Sequence, residues 1–80
     1  MTLSYQNKDY KISFHTELVG YNSDTKKEVF VWYPNVSGHS VCVEPNENEL
    51  HFLFADTKKE LIALINDMAI DNELYFIKIL

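Results

Sequence analysis

The sequence predicts an α+β domain. The expected architecture is an antiparallel β-meander of roughly four to five strands, with one α-helix over about residues 57–70 packed on one face and a C-terminal strand over about residues 73–80. Three observations carry this. Apolar and polar side chains alternate over residues 10–18, the period of a half-buried strand. Turn residues then punctuate the chain at short intervals, as in a meander. After Asp56 the apolar period lengthens to about 3.6 residues, and beyond Asn72 an extended apolar run returns.

Each element has a local reason. Tyr10, Ile12, Phe14, Thr16 and Leu18 share one side of the first long strand, and Lys11, Ser13, His15 and Glu17 share the other. A short strand near Leu3 and Tyr5 precedes it, turned at residues 7–9. Residues 22–25 read as a turn, and the next strand, residues 27–33, is expected to stop at Pro34 and Asn35. Residues 40–44 and 49–55 form a hairpin around Pro45 and Asn46. Thr57 followed by Glu60 is a capping-box signature. Leu61, Leu64, Ile65, Met68 and Ala69 then form one apolar stripe, with Ile62 at its margin.

Bulk properties bound the function. The 80 residues form one domain, residues 1–80, near the lower size limit for a self-sufficient core. With 46% hydrophobic and 14% aromatic residues, the composition is that of a folded chain. Twelve carboxylates face seven basic side chains, all of them lysine, for a net charge of -5. A chain with that charge and without arginine forks is not expected to bind nucleic acid or an anionic membrane directly. The single cysteine, Cys42, excludes an internal disulfide and suits a reducing, cytoplasmic setting. The first residues lack the pattern of a signal peptide, and apolar runs of about five residues are too short to span a bilayer.

One short helix covers one side of such a sheet, yet residues 29–33 and 74–77 are apolar on both sides. An uncovered apolar face is therefore expected. Strand parity assigns its residues. Phe30 and Trp32 go outward with Glu28, leaving Val29, Val31 and Tyr33 inward. Leu74, Phe76 and Leu80 go outward with Lys78, leaving Tyr75, Ile77 and Ile79 inward. Val41, Val43, Leu50, Phe52 and Phe54 point in, and Ser40, Cys42, Glu44, Glu49, His51 and Leu53 point out. Turn lengths then predict two rows across that face: His15, Trp32, Cys42, His51, and beside it Glu17, Phe30, Glu44, Glu49. A single bulge, for which Gly20 is the suspect, would flip the first strand.

Phe30, Trp32 and Phe76 as central anchors, ringed by Glu17, Glu28, Glu44 and Glu49, have the anatomy of a protein-binding surface for a basic partner. The expected function is a small acidic module that inhibits or modulates a larger protein by occupying its surface. The alternative is a homodimer with its sheets face to face. The profile of size, charge and one-helix plan is similar to that of phage-encoded inhibitors of host defence, anti-CRISPR proteins included, and of antitoxins and immunity proteins. No residue motif carries that similarity.

No catalytic, cofactor or metal site is expected. Cys42 opposite His51, with His15 nearby, could form a thiolate–imidazole pair or a metal site, but it lacks a third ligand and the usual ligand spacings. Asp67 and Asp71 read as a solvated edge, and residues 44–49 as a charged hairpin tip rather than a calcium loop. His39 sits in no nucleophile elbow.

Overall fold

The computed structural model describes residues 1–78. Its elements are β1 (Thr2–Tyr5), β2 (Lys8–Asn22), β3 (Lys27–Val36), β4 (His39–Pro45), β5 (Leu50–Phe52), α1 (Lys58–Ile70) and β6 (Tyr75–Lys78). The expected α+β architecture is observed, an antiparallel six-stranded sheet with one helix and a closing strand. Positions 79 and 80 of the expected last strand lie outside the described residues.

Asparagines set most of the turns. The Asn22 side-chain oxygen accepts from the Asp24 and Thr25 amides at 2.9 and 3.2 Å, and that of Asn46 accepts from Asn48 and Glu49 at 3.0 and 2.7 Å. Two hairpins are tighter. Gln6 and Asn7 (φ 50° and 64°) join β1 to β2, and Ser37 and Gly38 (φ 49° and 84°) join β3 to β4. Positive φ at both central residues is the primed turn that matches strand twist.

The helix begins as its sequence dictates: the Glu60 amide donates to Thr57 Oγ1 at 3.1 Å. Leu61 and Ile65 are fully buried, with Leu64, Met68 and Ala69 packed beside them. At the other end Asn72 takes the left-handed conformation (φ 56°). The Glu73 amide donates to Met68 O and the Asn72 amide to Ala69 O, which closes the helix with a Schellman motif.

Strand order is β1-β2-β3-β4-β5, with β6 also paired to β4. β4 changes partners along one edge. His39 and Ser40 pair with β3, whereas Cys42, Glu44 and Pro45 pair with β5; β6 runs along the opposite edge of 39–42. The chain after β5 then enters the fork between β3 and β4, where Trp32 and Ala55 exchange backbone bonds of 2.8 and 2.9 Å. Contrary to the expectation from sequence, Pro34 does not end β3; the strand runs to Val36. The Trp32 amide points to the β5 side, so position 34 points there too. A residue without an amide hydrogen therefore stands at the mouth of the fork.

Two bulges overturn the expected placement of side chains. Leu18 pairs with Phe30 but Gly20 pairs with Val29, so Val19 is an extra residue in β2. Uninterrupted pairing from the turn would have set His15 on the face of Trp32. With Val19 inserted, His15 pairs with Tyr33, Thr16 with Trp32 and Glu17 with Val31. Val43 is likewise extra in β4: Glu44 pairs with His51, but Cys42 pairs with Phe52. The expected pairs Cys42–His51 and Glu44–Glu49 do not form. Since Ile12 and Phe14 do face the helix, Trp32, Pro34 and Val36 face it with them. Leu53 and Ala55 are buried, while Leu50, Phe52 and Phe54 are exposed, the reverse of the expectation. In β6 the pairing of Val41 with Phe76 brings Phe76 inward behind buried Leu74, and leaves Tyr75 exposed.

The core lies between the helix and this curled sheet. Leu3, Tyr5, Ile12, Val36, Val41, Leu53, Ala55, Leu61, Ile65 and Leu74 form it. A 13-residue helix is about 20 Å long, whereas the molecule extends 46 Å along its longest axis. The β2–β3 ribbon therefore runs out beyond the helix, and Leu18, Val19, Tyr21, Val29 and Phe30 are exposed along it.

Candidate protein-binding face

The face turned away from the helix is assembled by alternation from the residues left over by the core. β2 contributes Ser13, His15 and Glu17, and β3 contributes Val31, Tyr33 and Asn35. β4 adds Ser40 and Cys42, β5 adds Phe52, and β6 adds Tyr75 and Ile77. One end is polar. Ser13 Oγ lies 2.9 Å from His15 Nε2 and donates to Asn35 O at 3.3 Å, while the His15 ring packs 5.6 Å from that of Tyr33.

The rest is apolar and concave. An open groove of about 710 Å³ is lined by Val19, Val31, Tyr33, Phe52 and Phe54, with Glu17 as its one carboxylate. Phe52 is 44% and Phe54 60% exposed, so these rings are held at the surface. The adjoining chain is acidic: residues 39–56 contain Glu44, Glu47, Glu49 and Asp56 and no lysine. The Glu49 carboxylate is 3.5 Å from His51 Nε2, with both side chains open to solvent.

Of the seven anchor and rim residues expected from sequence, only Glu17 lines this groove, together with Ser40 and Leu53 from the wider outward set. Glu44 and Glu49 flank the adjacent hairpin tip. Phe30 and Glu28 stand on the helix side of the ribbon, beyond the helix itself. Trp32 and Phe76 pack against the core; the Phe76 ring lies 5.8 Å from Tyr5 and 4.4 Å from Tyr10. The residues missed from sequence are the complement of those chosen: Val31, Tyr33, Phe52, Phe54 and Tyr75. Gly20 was the available signal, standing one position after the inserted Val19 in β2. It did so without conformational need, since its backbone is ordinary and a side chain there would meet nothing within 4 Å.

Cys42 belongs to this face by register yet is fully buried. Burial pushes its thiol pKa up, which holds it in the unreactive protonated form. Its Cα partners are Phe52 and Tyr75 rather than His51. Among the described residues, no three His, Cys, Asp or Glu side chains come together to hold a metal ion. No described helix is long and apolar enough to cross a membrane. Comparison with family models, characterised proteins and solved structures returns no significant match, so the reading of this face rests on its own geometry.

Proposed function

We propose that the chain is a small acidic protein-binding module that inhibits or modulates a larger partner by occupying its surface. The observation that supports this reading is the exposed apolar groove of Val31, Phe52 and Phe54 beside the lysine-free segment 39–56. Aromatic side chains in a concavity with a charged rim are the anatomy of an interface anchor. The rim selects a partner with lysines or arginines around an apolar projection, and speeds its encounter. Face-to-face self-association through the same groove is the weaker reading, because it would bring Glu17, Glu44 and Glu49 toward their own copies.

The test is affinity capture with immobilised wild-type, Phe54→Asp and Phe30→Asp chains, identifying bound proteins by mass spectrometry. A basic protein retained by wild-type and Phe30→Asp, lost with Phe54→Asp and released by salt is the expected result. If no retained protein depends on Phe54, the groove is not the binding surface.

A further inference from the structure

β2 has two edges, and the edge away from β3 is only partly used. β3 pairs along one edge from Ile12 to Asn22, whereas β1 pairs along the other only from Lys8 to Lys11. The contact of β1's edge ends at Ile12, whose amide donates to Met1 O at 2.8 Å and whose carbonyl accepts from the Met1 amino group at 3.3 Å. Both polar groups of a strand residue point to the same edge, and alternate residues repeat the direction. Phe14, Thr16 and Leu18 therefore aim their N–H and C=O groups along the β1 edge, beyond its end. Among the described residues no strand follows β1 there.

Such an edge is a template for another strand, and proteins ordinarily guard it with lysine, proline or a cover. Residues 13–19 contain no lysine and no proline. Thr16, Glu17 and Leu18 are exposed. The segment is also self-complementary about Thr16: Phe14 mirrors Leu18, and His15 mirrors Glu17.

The geometry points to a homodimer formed by antiparallel addition of β2 to β2 of a second copy, with the twofold axis at Thr16. Thr16 then exchanges both backbone hydrogen bonds with its own copy, and Phe14 does so with the second copy's Leu18 on either side, for about six new bonds in three pairs. On the helix side each exposed Leu18 side chain meets the second copy's Phe14 ring, over which Lys58 Nζ lies at 5.4 Å. On the groove side His15 stands directly opposite the second copy's Glu17. The non-hydrogen-bonded position sets such side chains closest, with Cα atoms about 4.5 Å apart. Because His15 Nε2 is engaged by Ser13, Nδ1 is the atom left for that carboxylate. The seam is short by construction. The Val19 bulge bends the strand at the level where the second copy's Met1 lies. Phe52 and Phe54 in the groove stay free on both copies, and Glu17 is the one groove residue that the dimer's named side-chain pairs engage.

Sedimentation equilibrium of the full chain over a micromolar concentration range, at physiological ionic strength, tests it. Wild-type chain dimerises. Thr16→Pro is monomeric with an unchanged circular dichroism spectrum, since the lost N–H points away from β3 and proline is tolerated at such edges. His15→Glu sets carboxylates against each other and weakens the dimer at least tenfold; adding Glu17→His restores it. Amide exchange on wild-type chain gives a second readout that does not depend on any variant folding. Phe14, Thr16 and Leu18 amides gain protection as concentration rises. A wild-type chain monomeric throughout, protection that ignores concentration, or a dimer that survives Thr16→Pro but dissolves with Phe54→Glu would each overturn the proposal.

Discussion

Tyr5 lies on the first strand and Leu74 leads into the last, yet one hydroxyl joins them. The Tyr5 hydroxyl donates to Leu74 O and accepts from the Leu74 amide, both at 3.1 Å. Both residues are in the core, so neither backbone group has water as an alternative. Tyr5→Phe keeps the ring packed on Phe76 but leaves two buried backbone groups unpaired, at a cost of about 1–3 kcal/mol. The thermal midpoint should fall by on the order of 10 °C, and an unchanged midpoint would show that the hydroxyl does not hold the sheet ends together. Cys42 offers a second test at this scale. Its folded thiol keeps its proton at a pH where the unfolded thiol has lost it. The unfolded state thus binds fewer protons in that alkaline window, and stability falls as pH rises through it. Urea midpoints measured across alkaline pH should decline more steeply for wild type than for Cys42→Ala. Parallel slopes would mean that burial does not shift this thiol.

At the scale of elements, the helix was readable from local chemistry. Its cap at Thr57, its stripe from Leu61 to Ala69 and its stop before Asn72 all follow from short-range rules, and the observed helix agrees with them. The long strand β2 was likewise readable in its inner set, Tyr10, Ile12 and Phe14. What failed was the relation between strands. A single inserted residue flips every side chain on one side of it, and β2 and β4 each carry one. Deleting Val19 should nonetheless be tolerated. The shortened strand keeps Gly20 opposite Val29 and Leu18 opposite Phe30, now as neighbours in a regular ladder, and Ile12 and Phe14 keep Val36 and Pro34 as partners. The expected outcome is cooperative unfolding by circular dichroism with a near wild-type midpoint, with Ile12→Asp in the core as the destabilised control. Loss of cooperative unfolding on deletion would show that the bulge itself, and not the pairs on either side of it, holds the register.

At the scale of the molecule, an uncovered apolar face follows from composition and size. An 80-residue chain that is 46% hydrophobic, with one helix of 13 residues, has more apolar sheet than the helix covers. The sequence alone was enough for the α+β class, the helix and its caps, and the existence of that surplus. Each depends on periodicity within one segment or on totals over the chain, and neither changes when strands slide. Which residues make the outer face was decided only in the folded molecule. Val31, Phe52 and Phe54 reach it through two bulges, and the fork at Pro34 admits Ala55 between β3 and β4. Those are outcomes of pairing between distant segments, where the packing of Trp32 and Phe76 onto the helix-side core outweighed the simple alternation that each strand displays by itself.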